Sequence, residues 1–165
     1  MSENLCGSCT ACCRVFDIPQ LEKPAGVWCQ HCDIGKGCKI YEARPEPCVD
    51  FECLWLISQK RPEQVQRMPM SLRPDRCKVV FSPSTDERVM AALTMPGDPT
   101  AWRRPAVREV IDALVKRNEF SVVAGAARST SRTMIDADGE HDVQMTEPDE
   151  NGMQWNIPQA KEQRR

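Results

Sequence analysis

Nine of the ten cysteines in this 165-residue chain lie within its first 53 residues. They are Cys6, Cys9, Cys12, Cys13, Cys29, Cys32, Cys38, Cys48 and Cys53. Glycine, proline and cysteine interrupt every run in that stretch, so it predicts neither a sustained helix nor a sustained strand. Such a segment buries too little apolar surface to be held by packing alone, and a metal bound by thiolates supplies the cross-link that it needs.

The start of the chain favours metal ligands over disulfides. Its first residues have neither the basic start nor the apolar stretch of a signal peptide, and no apolar run approaches the ~18 residues of a membrane-spanning helix. We therefore expect a cytoplasmic protein without membrane association. In a reducing compartment, clustered cysteines indicate metal ligands or redox thiols.

The charge distribution argues against nucleic-acid binding. The net charge is −2, and residues 1–53 carry five Lys and Arg against eight Asp and Glu. Residues 54–76 reverse the sign, with five basic and two acidic side chains. That basic stretch is short and is typical of a solvated connector, so we expect no nucleic-acid partner.

The first cysteine element is a C-x2-C-x2-C-C run at residues 6–13. Two-residue spacing lets both sulfurs of a pair reach one metal while the intervening backbone N–H groups point at the thiolates. Three cysteines at this spacing are also similar to part of the bacterial ferredoxin run. Cys12 and Cys13 are adjacent and should point in different directions, so one of them would serve a second metal or lie in the core.

The second element is another C-x2-C pair, Cys29 and Cys32, followed by Cys38 after a glycine-rich return. His31 lies inside the pair and is a candidate nitrogen ligand. A histidine in this position is more often a bystander or a hydrogen-bond donor to the ligands, and that alternative stays open.

The third element runs from residue 40 to residue 53 and contributes Cys48 and Cys53. Prolines on either side of Glu46 stiffen the approach to Cys48. Arg44 is a candidate to offset the negative charge that four thiolates leave around a divalent metal or a cluster. Its alternative role is an exposed charge beside neighbouring glutamates.

Together these elements resemble the CxxCxxCC family, whose members are described as zinc- or iron-chelating cysteine-cluster proteins. The resemblance rests on the opening run at 6–13, on Cys32, Gly37-Cys38, Ile40-Tyr41-Glu42 and Arg44-Pro45, and on Cys48 and Cys53. It covers residues 6 to about 56, roughly a third of the chain. A similar cluster occurs in the much longer flagellin lysine methylases, where the resemblance implies an iron–sulfur centre. Cys29 is additional to the family pattern.

The identity of the metal is left open by the spacing. Nine cysteines suffice for two four-thiolate sites with one to spare, or for one cluster with several structural thiols. Paired C-x2-C elements favour tetrahedral zinc. The C-x2-C-x2-C run, the presence of only two histidines and the family resemblance favour an iron–sulfur cluster or iron, which we expect ahead of zinc.

The rest of the chain predicts an α+β fold. We divide the sequence into a cysteine-cluster metal-binding region (1–56), a connector (57–76), an α+β region (77–158) and a frayed tail (159–165). The expected architecture is an irregular cysteine-rich N-terminal region packed on a small antiparallel sheet with one main helix. Cys77 falls at the start of a predicted strand and is expected to be a buried hydrophobe rather than a ligand.

The individual elements follow from periodicity and turn residues. A short helix is predicted at 54–57, and the main helix begins at Pro105, with apolar residues at helical spacing from Val107 to Val115. Strands are predicted at 78–81, 88–93, 120–123, 133–135 and 143–145. Turns at 82–86 and at Asp138-Gly139 should close hairpins.

Enzyme motifs are not found outside the cysteines. The sequence has no G-x-S-x-G, P-loop or dinucleotide-binding pattern. His141 sits among acidic residues on a predicted polar turn, where a surface role is expected. Whether the chain is an enzyme is therefore left open.

Two functional hypotheses remain. In the first, the protein binds metal through a structural or metal-handling thiolate centre, and the α+β region binds a protein partner or stabilises the fold. In the second, the centre works in a cluster-dependent redox or methyl-transfer enzyme or its accessory subunit. A working centre keeps one coordination position or face open, whereas a structural one is closed by four cysteines and buried.

Overall fold

The computed structural model describes residues 5–84, 88–150, 154 and 156–157. Its α+β class agrees with the class predicted from the sequence. A six-stranded sheet lies between one long helix and the cysteine-rich region. No helix within this description is long and apolar enough to cross a membrane.

The strands form two sheets. A two-stranded sheet joins β1 (Cys32–Asp33) to β2 (Gly37–Cys38). The large sheet contains β3 (Val79–Pro83), β4 (Val89–Thr94), β5 (Ser121–Ala126), β6 (Ser131–Asp136), β7 (Gly139–Met145) and β8 (Asn156–Ile157), in that spatial order. All five strands predicted from the sequence are present, with bounds that differ from the prediction by up to four residues.

The large sheet is mixed rather than wholly antiparallel. Four pairings are antiparallel, as expected, and β4 pairs with β5 in parallel. The parallel pair arises because the chain between these strands crosses back as helix α5 (Pro105–Asn118), whereas hairpins join strands that run in opposite directions. The register places Ala91 opposite Val123.

Helix α5 builds the main core, as its apolar spacing predicted. Val107 and Ile111 are fully buried, and they pack with Phe81, Val122 and other side chains on one face of the sheet. Pro105 is its first residue, where the missing N–H costs no hydrogen bond.

The remaining helices are short because proline and glycine interrupt the chain around them. They are α1 (Cys12–Val15), α2 (Glu46–Asp50), α3 (Leu54–Lys60) and α4 (Pro74–Cys77). Single 3-10 turns occur at Pro19–Leu21, Tyr41–Ala43, Met70–Leu72 and Ala101–Arg103. Helix α3 matches the predicted short helix.

The cysteine-rich region covers the sheet face opposite α5. Ala11 and Val15 pack there with Val80, Leu93 and Met95. Side chains alternate between the two faces of a strand, so Val80 faces the cysteine region while its neighbours Val79 and Phe81 face the main core. The N-terminal region is thus packed on the sheet, as expected.

Two predictions fall on residues outside the description. The tail at 159–165 lies there entirely, and the turn at 82–86 lies there in part. The hairpin that this turn was expected to close is confirmed, because β3 and β4 pair antiparallel.

Cys77 is buried in the main core, as predicted for a structural cysteine. It ends α4 instead of beginning a strand, and β3 starts at Val79. Lys78 between them adopts a left-handed conformation (φ 65°), which stops the helix and redirects the chain.

Candidate metal centre

The predicted ligand cysteines surround a single cavity of about 390 Å³. Eight of the nine line it: Cys6, Cys9, Cys12, Cys13, Cys29, Cys38, Cys48 and Cys53. The ninth, Cys32, interacts with the thiol of Cys13. All ten cysteines of the chain fall within the description, and each is a free thiol. Among these residues, no group of three or more Cys, His, Asp or Glu side chains is arranged to hold a metal ion.

Backbone hydrogen bonds tie the separate cysteine elements together. The Cys9 N–H donates to the Cys6 carbonyl over 2.9 Å, which closes the first C-x2-C pair into a turn. The Cys29 N–H donates to the Cys13 carbonyl over 2.9 Å and joins the first element to the second. Cys32 then faces Cys38 across β1 and β2. Segments distant in sequence therefore present their thiols to one space.

Cys12 and Cys13 both line the cavity, so neither of them lies in the core, and the alternative that one of them serves a second metal stays a prediction. They are the first two residues of α1, and their side chains interact. Hydrogen bonding to Cys12, together with burial, raises the pKa of Cys13. Burial and the nearby Cys13 raise the pKa of Cys32 to about 12. These three thiols form one contiguous group.

Cys53 lies where the backbone can support a thiolate. It is the N-cap residue of α3, and burial raises its pKa to about 12. The N–H groups of Leu56 and Trp55 oppose that rise, although no cap hydrogen bond to the neutral thiol is formed. Helix N-termini favour negative charge. This position therefore suits a sulfur that becomes anionic when a metal binds.

Cys9 has a similar environment, supplied partly by the connector. Burial raises the pKa of Cys9, and the N–H groups of Ala11 and Asp75 oppose that rise. Arg73 donates to both Asp75 carboxylate oxygens, over 2.6 and 2.7 Å, and to the Ser8 hydroxyl over 3.1 Å. The side chain of Arg73 is only 12% exposed, so this part of the connector is not a solvated stretch but packs against the first cysteine element.

Arg44 lines the cavity, and its role in offsetting thiolate charge stays a prediction. Its Nε donates to the Tyr41 carbonyl over 2.7 Å, and its guanidinium lies 3.6 Å from the centre of the Tyr41 ring. Burial raises the pKa values of Cys6 and Cys48, and the charge of Arg44 opposes both rises. His31 also lines the cavity, and ligation by its ring stays a prediction.

Three residues of the site escaped the sequence analysis: Lys23, Arg73 and Asp75. Lys23 is 4% exposed and lines the cavity near Cys13 and Cys29. No local motif marks it, because its inward direction depends on a turn in which Glu22 adopts a left-handed conformation (φ 48°). The Arg-x-Asp spacing at 73–75 was the only available signal for the other two.

Comparisons with known proteins add no relative. Neither protein-family models nor curated proteins nor solved structures give a significant match to the chain. The chemistry of the site therefore follows from its own residues.

The histidine outside the cysteine region has a surface role, as expected. His141 lies within β7 and not on a turn as predicted, and its Nε2 is 3.0 Å from an Asp136 carboxylate oxygen on β6. Both residues belong to the predicted hairpin around Asp138-Gly139, far along the chain from the cysteines. This pair ties two strands together.

The cavity has the donor chemistry for a soft or borderline metal. Thiolates select zinc, iron–sulfur clusters and copper(I) over magnesium or calcium. One tetrahedral ion takes four thiolates, and twice that number line the cavity. The number of thiols matches two such ions, or a multi-iron cluster with thiols to spare, although the described side chains are not grouped around a metal position.

Proposed function

We propose that the chain is a metal-binding protein whose cysteine-rich region holds a thiolate metal centre with a structural or metal-handling role. The observation that carries the proposal is the convergence of eight cysteines, from distant segments of residues 6–53, on one cavity. The spacing of the same cysteines supports membership of the CxxCxxCC family. An iron–sulfur cluster or iron is the favoured occupant, with zinc as the alternative.

The surroundings of the sulfurs support this proposal independently of their number. Backbone N–H groups oppose the rise in pKa at Cys9 and Cys53, as they do around thiolates bound to metals. Arginine and lysine side chains face the same space and offset negative charge. A purely apolar function of these cysteines would require neither feature.

The raised thiol pKa values explain why a metal would stabilise the region. A thiol with a pKa of about 12, such as Cys53, is neutral at pH 7, and ionising it inside the fold is costly. A bound cation offsets that cost and joins the short segments that packing alone holds weakly. Cellular reducing conditions would keep the thiols available, so we place the protein in the cytoplasm.

A second candidate function is a cluster-dependent redox or methyl-transfer enzyme, or its accessory subunit. The volume of about 390 Å³ favours it, because small-molecule sites range from roughly 300 to 1,000 Å³. A working centre would share this space with a substrate. The α+β region would then stabilise the fold or bind a protein partner.

The deciding experiment is elemental analysis with acid-labile sulfide and a visible spectrum, on the full chain purified without air. Iron with sulfide and broad visible absorption is expected from an iron–sulfur centre, and zinc in a colourless sample from the alternative. Iron with sulfide would also send the protein to redox and methyl-transfer assays. A chain that carries neither metal, and takes up neither after reduction and reconstitution, contradicts the proposal.

A further inference from the structure

Lys23 places an ammonium group inside the cysteine-rich region. The residue is 4% exposed and lines the thiol cavity. Backbone hydrogen bonds between Ile18 and Lys23, of 2.8 and 3.2 Å, close the turn that directs the side chain inward. The Nζ atom donates to the Arg14 carbonyl over 3.0 Å and to the Phe16 carbonyl. Its position is therefore fixed from both sides.

The charge of Lys23 faces thiols rather than a carboxylate partner. Burial lowers the pKa of Lys23, while Cys13, Cys29 and Asp17 oppose that fall. Asp17 lies 3.7 Å from Arg128. Within the described part of the chain, no carboxylate is at salt-bridge distance from Lys23. A buried cation without a counter-ion is costly, and negative charge in the cavity would offset that cost.

Most other cations around the cavity are already neutralised. Lys60 pairs with Glu52, and Arg73 pairs with Asp75. Four thiolates around a divalent ion or a doubly charged cluster leave about two negative charges. Three lysine and arginine side chains in the described part of the chain line the cavity, and of these Lys23 and Arg44 have no carboxylate at salt-bridge distance.

We propose that Lys23 is a positioning residue of the thiolate centre, whose fixed positive charge balances the anionic metal–thiolate group formed around Cys13 and Cys29. This inference rests on the proposed metal-binding function, and it names the side chain that balances the negative charge of the metal–thiolate group. It requires the charge of Lys23 and not merely its hydrogen bonds to two carbonyls. That distinction makes it testable.

Three variants separate charge from hydrogen bonding. Lys23→Arg keeps both, and Lys23→Gln keeps a donor but removes the charge. Lys36→Met is the matched control, because Lys36 belongs to the same region, is 78% exposed and lies 3.5 Å from Asp33 at the surface. The probe is Co²⁺, which reports thiolate ligation through sulfur-to-metal charge-transfer absorption.

The full chain of each variant is reduced, stripped of metal without air and titrated with Co²⁺ in competition with a chelator at fixed pH. Affinity near that of the wild type is expected for K23R and K36M. A loss of about 10–100-fold is expected for K23Q, as for other residues that support metal ligands. Circular dichroism monitors folding. If stripped K23Q does not fold, its metal is loaded during refolding and the rate of Co²⁺ transfer to excess chelator is compared with that of K23R.

The outcomes separate this inference from the proposed function. Wild-type affinity in K23Q, or equal losses in K23Q and K23R, overturns the charge-balancing role while metal binding stands. A wild-type chain that binds no Co²⁺, iron or zinc overturns the proposed function, and this inference with it. Weaker Co²⁺ binding in K23Q, with affinity near that of the wild type in K23R and K36M, supports the inference.

Discussion

Replacing Cys53 by serine separates the loss of a sulfur ligand from the loss of a helix cap. Cys53 is the N-cap residue of α3. Serine is among the best N-cap residues because its oxygen accepts a hydrogen bond from the N–H two or three positions ahead. Here those donors are Trp55 and Leu56, which are already directed at the Cys53 side chain. Cys53→Ser should therefore remove a thiolate and give α3 a cap hydrogen bond that the thiol does not form.

Cys53→Ala is the matched variant, because it also removes the thiolate but offers no acceptor for a cap hydrogen bond. A serine N-cap stabilises a helix by about 0.5–2 kcal/mol relative to alanine. We expect C53S to exceed C53A in free energy of unfolding by that amount, and both to bind less metal than the wild type. The two losses of metal should be equal, since neither side chain offers a sulfur.

Cys77→Ser is the control for cysteine loss outside the site. The Cys77 sulfur lies 3.4 Å from the Leu72 carbonyl oxygen and 3.3 Å from that of Val79, so a serine hydroxyl has acceptors there. We expect C77S to keep its metal and to lose at most about 1–3 kcal/mol of stability through burial of the hydroxyl.

The assay combines metal content per chain with urea unfolding, on protein purified without air. Wild-type metal content in C53S, or equal losses of metal in C53S and C77S, would refute the assignment of Cys53 as a ligand. Equal stability of C53S and C53A would refute the capping argument alone. Cys9→Ser should behave like C53S in metal content.

Three further predictions follow from the same contacts. Arg73→Ala removes the hydrogen bonds to Asp75 and Ser8. We expect it to lower the free energy of unfolding by about 1–3 kcal/mol and to speed the transfer of metal to a chelator. The control Arg67→Ala, which removes only an exposed hydrogen bond to Gln59, should change neither the stability nor the transfer rate. In the metal-free chain, the raised pKa of Cys53 stabilises the fold fully below the ordinary thiol pKa of 9.0, and this stability is lost as the pH rises toward about 12. The free energy of unfolding in urea should therefore fall between pH 8 and pH 10 by about 1 kcal/mol more in the wild type than in C53A. An equal fall in both proteins would contradict the raised pKa. Ile111→Ala should cost about 2–5 kcal/mol in thermal or urea unfolding because the side chain is fully buried in the main core, while the exposed Glu109→Ala should cost little.

The α+β region was predictable because its signals are local. Short runs of β-prone residues predicted β3 and β4, and apolar residues at helical spacing predicted α5. The parallel pairing of β4 and β5 was not predictable in the same way. The pairing depends on which strand the chain meets after α5, and packing determines this rather than the sequence of either strand.

The cysteine pool was predictable as a set, but its surroundings were not. Spacing identified the nine cysteines because ligand pairs need short, small-residue turns. Lys23 enters the cavity only because Glu22 takes a left-handed conformation, which is uncommon for a residue with a side chain. Asp75 reaches Cys9 from a segment more than sixty residues away along the chain. Neither of these contacts produces a pattern that can be recognised in a short stretch of sequence.

The contacts of Cys53 bear on whether a metal centre in this region would be purely structural. Its side chain packs against the main core and also against the cluster that joins the cysteine region to the sheet. Cys9 packs against the second cluster too, and its sulfur is approached by the backbone of α4, which leads through Lys78 into β3. A metal bound by these two sulfurs would therefore connect residues that pack against both clusters of buried side chains. Closely packed cores transmit such displacements rather than absorbing them. A change at a metal bound there should therefore displace side chains on both faces of the sheet.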